Sequence, residues 1–322
     1  MNDKISVIVT CYNHEKYVEE CLRSIFSQTH QNIELLVYND GSTDGSGTVI
    51  SRVLDDSPFA ETHYFSAENQ GVIVVRNQAL EQISGDFVFF MDSDNFLNPE
   101  HLEILLSNLT EKNADIAYTQ IWDFEAEKNV LQEDLEFSPE KEFQGNLIEM
   151  ASLVRHEKIA AVKFDSALKN LEDYDFWLNL IVNQKAKPIF VKETKLNYRV
   201  LDDSRSSRGN WQQYYDSYFH IIEKYRQQEP DLVHQALKKN LLMWTENYQK
   251  LELENQEQQQ VIANQNQIIA DKDAHIATQA EISQQALHDK DVALHDKDVQ
   301  LDTIVNSKAF KLGTKLLHPF RK

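Results

Sequence analysis

Glycine and proline are scarce, at 8 and 6 residues of 322. So few turn-formers favour long helices with few sharp reversals. Cysteine is scarcer still: Cys11 and Cys21 form neither a Cys-x-x-Cys motif nor a disulfide framework. Small buried thiols are the plain reading of both. No run of 18 or more apolar residues occurs, so no helix is expected to span a bilayer. The first apolar stretch, Ile5 to Thr10, lacks the basic flank and long apolar core of a secretory signal. Positive charge is deficient too: 32 Lys and Arg stand against 52 Asp and Glu, for a net charge of −20. That balance excludes the basic face a nucleic-acid backbone requires, so no nucleic-acid partner is expected. A phosphate ligand must instead be held by a metal, by backbone N–H groups or by a few local cations. The expectation is a cytoplasmic protein.

What is present is enough apolar material, 41% of the chain, for a sizeable core. From Met1 to about Thr119, strand and helix patterns alternate. Strands are expected at Ile5–Thr10, Ile33–Tyr38, Thr62–Phe65 and Phe87–Met91, with helices over Tyr17–Gln28 and Val72–Ile83. Asp44 is placed to cap a helix running through Val49 and Val53. Strands that are apolar without alternation imply a mainly parallel α/β sheet covered by helices on both faces. In such sheets the ligand crevice lies beyond the carboxyl ends of the strands. Thr10–Asn13, Asn39–Ser42 and Asp92–Asn95 each follow a strand end, so they should converge. Further on, Glu172–Val182 reads as a helix, Ile189–Val191 as a strand, and everything from Trp211 as helical.

The most informative segment is Asp92-Ser93-Asp94, directly after the apolar run Phe87–Met91. Carboxylates at the mouth of a buried strand require a cationic partner. A divalent cation carrying a diphosphate meets that need, since carboxylate and phosphate oxygens suit Mg2+ or Mn2+.

In order, Ser6–Asn13, Ser27–Thr29, Asn39–Asp44, Gly71 with Arg76-Asn77, Ser84–Asp86, Asp92–Asp94, Glu172–Trp177 and Tyr198-Arg199 resemble glycosyltransferase family 2. The resemblance covers roughly the first 205 residues. It implies an A-type, Rossmann-like glycosyltransferase fold and an inverting sugar transfer from a nucleoside diphosphate. By the family's pattern Asp94 ligates the metal, Mn2+ or Mg2+, and Asp92 reaches the ribose or the metal through water. Thr10, Tyr12 and Asp40 hold the base, with Asn13 in the same loop, and Arg76 contacts the nucleotide. An aromatic ring stacks on a pyrimidine, and a carboxylate accepts the N3–H that uracil and thymine carry and cytosine lacks. A UDP- or dTDP-sugar is therefore the expected donor. Asp173 matches the family's general base, Glu172 an acceptor-binding group, Trp177 an apolar sugar platform, and Arg199 a diphosphate or acceptor contact.

Each residue also has a plain reading: Asp40 and Asp44 as turn and helix caps, Asp173 as a helix N-terminal charge, Arg76 and Arg199 as surface ion pairs, and Tyr12 and Trp177 as core. The ordered set favours the enzymatic reading. Two positions depart from the family. Asn39-Asp40 stands where two aspartates are common, and Leu201 stands where many relatives carry a histidine, a role Arg205 or Arg208 would then take.

The chain therefore divides into a catalytic domain (1–205), a helical subdomain (206–246), a coiled-coil stalk (247–306) and a basic amphipathic tail (307–322). In the stalk, Ile262, Ile269 and Ile276 recur every seven residues, and an eleven-residue step leads to Leu287, Leu294 and Leu301. That spacing fits a coiled coil with a stutter and a homo-oligomer, although the second apolar position of each heptad is mostly polar, so a solitary helix also fits. The tail carries Lys308, Lys311, Lys315, Arg321 and Lys322 among Phe310, Leu312, Leu316, Leu317 and Phe320. It suits either the anionic inner face of the plasma membrane, as a peripheral contact, or docking on protein. The expected acceptor is a carbohydrate, lipid-linked or glycoprotein hydroxyl. The competing class is a non-catalytic nucleotide-sugar-binding scaffold assembled through its coiled coil.

Overall fold

The computed structural model describes residues 3–130, 135–201 and 211–308. The chain opens with β1 (Ile5–Cys11), α1 (Val18–Phe26), β2 (Ile33–Asp40), α2 (Ser46–Leu54), β3 (Glu61–Ala67), α3 (Val72–Leu80), β4 (Phe87–Asp92) and α4 (His101–Glu111). It continues through β5 (Ile116–Asp123), β6 (Lys128–Asn129), α5 (Pro139–Gln144), β7 (Leu153–Arg155), α6 (His156–Ile159), α7 (Glu172–Val182) and β8 (Pro188–Tyr198). Two helices follow, α8 (Trp211–Tyr225) and α9 (Pro230–Asn306).

Eight strands make one sheet in the order β3-β2-β1-β4-β7-β5-β6, with β8 paired to β5. β3, β2, β1 and β4 run parallel, β7 is antiparallel to β4 and β5, and β8 is parallel to β5. The sheet is thus mixed and mainly parallel, as expected. Successive residues of β1 point to opposite faces. Ile5, Val7 and Val9 join α1, α2 and α4 in one core layer. Ile8 joins Val88 and Phe90 against α3 and α7 in the other.

Several boundaries differ from expectation. α2 begins at Ser46 with Gly45 at its cap position, and Asp44 serves it one residue earlier by accepting the Ser46 N–H at 3.0 Å. β3 is longer than expected and lies at a sheet edge, mostly exposed, which is why its apolar run is short. β8 extends from Pro188 to Tyr198 through an irregularity opposite Tyr118–Gln120.

The chain separates into two compact units, Met1–Leu242 and Met243–Lys322. Helix α8 and the start of α9 belong to the first. In the second, the described residues continue α9 to Asn306, and the heptad positions Ile262, Ile269, Ile276, Leu287, Leu294 and Leu301 are 55% to 64% exposed. The basic tail, apart from Ser307 and Lys308, lies outside the described residues, as do Arg205 and Arg208. No described helix is long and apolar enough to cross a membrane.

Candidate active site

Strand register brings the motif ends together. Thr10 of β1 pairs with Asp92 of β4, Cys11 with Asn39 of β2, and Asp40 with Ala67 of β3, all at the carboxyl edge of the sheet. Side chains then stitch the loops. Asn13, in the left-handed region at φ 57°, accepts the Thr43 N–H at 2.7 Å and donates its own N–H to the Ser42 hydroxyl at 2.9 Å. Asp44 accepts the Glu15 N–H, Glu15 accepts the Gly45 N–H, and His14 Nδ1 pairs with Ser93 Oγ at 2.8 Å. Burial raises the Asp44 carboxyl, but hydrogen bonds from Ser46 and Glu15 outweigh it and hold the group below its ordinary value.

Asp40 is buried, and its two oxygens accept the N–H groups of Gln70 at 2.7 Å and Gly71 at 2.9 Å. The residue therefore ties the loop after β3 to the end of β2, and each oxygen keeps a further lone pair for a ligand. Gly41 makes this approach possible. Its φ is +69°, and a Cβ there would lie 2.4 Å from Asn69 N. Tyr12 is 47% exposed beside this cradle, so its ring is open to a stacking partner and is not core.

One arginine joins the acidic side chains of β4 and α7. Arg76, only 4% exposed, donates Nη2 to Asp92 Oδ1 at 2.9 Å and Nη1 to Glu172 Oε1 at 3.3 Å, with Phe164 beneath its guanidinium. The arginine expected to contact the nucleotide thus forms a bridge between β4 and the start of α7, and its burial rules out the plain reading of a surface pair. Breaking such a buried bridge from one side leaves a charge uncompensated, a loss of about 3–5 kcal/mol. Asp92 Oδ1 also accepts the Thr10 hydroxyl at 3.1 Å.

Asp94 differs from Asp92: its Oδ1 is buried without a hydrogen-bond partner. Burial, and then the charge of Asp92, push its carboxyl up to about 6. An orphaned carboxylate oxygen beside a second carboxylate is the donor set a hard divalent cation requires, so the residues fit Mn2+ or Mg2+. Arg199 lies behind this loop. Its Nε donates to the Asp94 carbonyl at 3.2 Å, its guanidinium packs between the rings of Tyr17 and Phe124, and Glu20 and Glu125 pair with it at 2.6 and 3.5 Å.

Asp173 stands in the first turn of α7, after Leu171 in a left-handed conformation at φ 57°. Its Oδ1 accepts the Tyr174 N–H at 2.8 Å and its Oδ2 accepts Asn146 Nδ2 at 2.7 Å. Burial, then the charge of Glu172, push the carboxyl up to about 6, which suits a proton acceptor working near neutrality. Two more buried acids stand near this carboxyl. Burial, and then the negative charge of Asp173, raise Glu149 to about 8. Burial alone dominates a similar rise at Glu142. Nothing in their spacing marks them, because the fold alone brings them near α7. Trp177 is a correction. It is fully buried, edge-on to Phe176, and offers no face to a sugar.

Comparison with known proteins agrees with this geometry. The sequence profile of "Glycosyl transferase family 2" matches residues 6–169. The glycosyltransferase GlyA of Streptococcus pneumoniae is 41% identical over 128 residues, 38% of this chain and 18% of GlyA. An uncharacterized glycosyltransferase of Haemophilus influenzae is 30% identical over 209 residues, 63% of this chain and 82% of that protein. The minor teichoic acid biosynthesis protein GgaB of Bacillus subtilis is 32% identical over 223 residues, 64% of this chain and only 25% of GgaB. Among solved structures, S. aureus TarS 1-349 in complex with UDP-GlcNAc superposes with a TM-score of 0.63 at 22% identity, covering 74% of this chain and 71% of that one. At that identity the likeness establishes the fold, which is the A-type glycosyltransferase fold. With the profile spanning half its length and the motifs gathered at one sheet edge, the chain belongs to glycosyl transferase family 2.

Proposed function

We propose that the chain is an inverting, metal-dependent hexosyltransferase that moves a sugar from a UDP- or dTDP-sugar to a hydroxyl of a glycan, lipid-linked or protein-linked acceptor in surface polysaccharide or glycoconjugate assembly. The observation that carries this reading is the bridge through Arg76, which joins Asp92 at the end of β4 to Glu172, next to Asp173, in one acidic cluster. Tyr12 stacks on the pyrimidine, while Thr10, Asn13 and Asp40 shape its cradle and Asp40 accepts the base N3–H. Arg76 holds Asp92 towards the ribose, and Arg199 holds the Asp94 loop. Asp94, with Asp92, would hold the cation. A bound Mn2+ or Mg2+ supplies Lewis acidity that neutralises charge on the diphosphate. Glu172 takes acceptor hydroxyls.

In the transfer, the acceptor oxygen attacks the anomeric carbon on the face opposite the diphosphate. Asp173 takes the hydroxyl proton, the bond from the anomeric carbon to the phosphate oxygen breaks, and the electron pair leaves with the diphosphate. The new glycosidic bond has inverted configuration, and no covalent enzyme intermediate forms. GgaB carries teichoic acid biosynthesis in its name, which supports a polymer acceptor, and TarS was solved with UDP-GlcNAc, which supports a UDP-sugar donor. A mannosyltransferase of Pyrobaculum calidifontis solved with GDP-Man and Mn2+ supports the cation.

The domain division follows the same reading: a catalytic domain to about 205, a helical subdomain to about 246, a homo-oligomerising coiled coil to 306 and a basic tail reaching the inner face of the plasma membrane. The second reading, a non-catalytic nucleotide-sugar-binding scaffold, is favoured by Leu201 in the family's histidine position and by the exposed heptads. Turnover of a panel of UDP- and dTDP-sugars, with and without chelator, tests both. Metal-dependent turnover that disappears in Asp173→Asn supports the enzyme, and its absence with every donor supports the scaffold.

A further inference from the structure

Asp173 is held from outside its own helix by a residue that sequence spacing does not connect to it. Asn146 lies between α5 and β7, and its Nδ2 reaches Asp173 Oδ2 at 2.7 Å. A carboxylate only accepts, so the amide nitrogen must face it, and the amide oxygen points elsewhere. That oxygen is buried without a partner. Leaving a buried acceptor unpaired is unfavourable, so the amide is not there for stability. Its geometry serves the carboxylate.

The backbone carrying Asn146 is pinned on both sides. Before it, the Phe143 carbonyl accepts the hydroxyls of Tyr174 and Tyr218 at 3.0 and 3.1 Å, and the Gln144 carbonyl accepts Asn240 Nδ2 at 2.8 Å. Asn240 also donates to the Tyr218 hydroxyl at 2.7 Å. After it, the Leu147 N–H donates to Glu142 Oε2 at 3.2 Å. Tyr218 lies on α8 and Asn240 near the start of α9, both within the first compact unit. The same helices grip α7 directly, since Lys224 pairs with Asp175 at 2.8 Å and the Tyr225 hydroxyl reaches Asp175 Oδ1 at 3.0 Å.

We propose that Asn146 is the positioning residue of the general base, fixing the Asp173 carboxylate for proton transfer, and that helix α8 with the start of α9 braces Asn146 through the Phe143–Gln144 carbonyls. The inference rests on the reading of Asp173 as base. The groups acting on that carboxyl are Glu172 on its own helix, Arg76 from α3, Glu142 and Glu149 from either side of Asn146, and Tyr214 from α8. Of these only Arg76 favours the charged form, so the Asn146 hydrogen bond adds to a small supply of stabilising contacts.

The test uses the full chain and compares Asn146→Ala, Asn146→Ser, Asn240→Ala and Asp173→Asn, measuring kcat, donor KM, the acid limb of kcat/KM against pH, and UDP affinity. Asn146→Ala is expected to lower kcat roughly 10- to 100-fold while donor KM and UDP affinity stay unchanged. Its acid limb should move to higher pH by about half a unit to one unit, because the charged form has lost a donor. Asn146→Ser keeps a short donor and should recover part of both effects. Asn240→Ala should move the limb the same way by less, and an unmoved limb overturns the brace. Wild-type kcat and acid limb in Asn146→Ala overturn the positioning role, as does a loss of UDP affinity that marks general damage. A fully active Asp173→Asn instead removes the base itself, which separates failure of the functional reading from failure of this inference.

Discussion

Two carboxyls of the acidic cluster are raised to about 6, each by burial and then by a neighbouring carboxylate, and each makes its own prediction. At Asp173 burial comes first and the neighbouring Glu172 charge second. A base must be ionised, so kcat/KM should rise with pH through about 6 and level above it, which a pH–rate profile checks. Asp173→Asn should reduce kcat roughly 10²- to 10⁴-fold while leaving UDP affinity intact. A variant that loses both would mean a structural role. At Asp94 the partnerless oxygen and the like charge of Asp92 are what a cation would relieve. The two aspartates look equivalent in sequence, but Asp92 already serves Arg76 and Thr10.

At the level of elements, the parts that read clearly were those set by local pattern. The strands Ile5–Thr10, Ile33–Tyr38 and Phe87–Met91 are buried on both faces, so their apolar runs are continuous and their carboxyl ends could be aligned in advance. β5 and β7 carry no such local signal, because their pairings span long separations and the antiparallel β7 is only three residues long, and α5 is a helix of only six residues. Asn146 is illegible for the same reason, and Trp177 cannot be settled from sequence because an aromatic on a helix reads alike as platform or core. Two element-level substitutions follow. Gly41→Ala forces a side chain into φ +69° and onto Asn69, and should lower stability by several kcal/mol by the usual scale of backbone strain and overpacking, as thermal denaturation would show. Glu142→Gln acts through linkage. Glu142 is raised from 4.5 to about 8 by burial, so the unfolded chain gives up its proton first as pH rises. Its contribution is full below about 4.5 and lost as pH climbs towards 8. The glutamine variant should therefore flatten the fall in melting temperature across that window, and an unchanged slope would mean that Glu142 ionises freely.

For the whole molecule, the catalytic chemistry proposed here lies entirely within Met1–Leu242, whereas the exposed heptads lie in the second unit. A chain ending near Glu246 should be monomeric yet active, and the full chain should self-associate. Light scattering that finds the full chain monomeric would contradict the coiled coil and leave the active site standing. The site's carboxylates sit in a chain of net charge −20, so a nucleoside diphosphate should bind poorly there without a cation. Titration calorimetry of UDP in the presence and absence of Mn2+ measures this directly. Tight binding that requires the metal and weakens at least about tenfold in Asp94→Asn is the expected result. Binding indifferent to Mn2+ and to that substitution, or no binding at all, would contradict a metal-assisted nucleotide-sugar site.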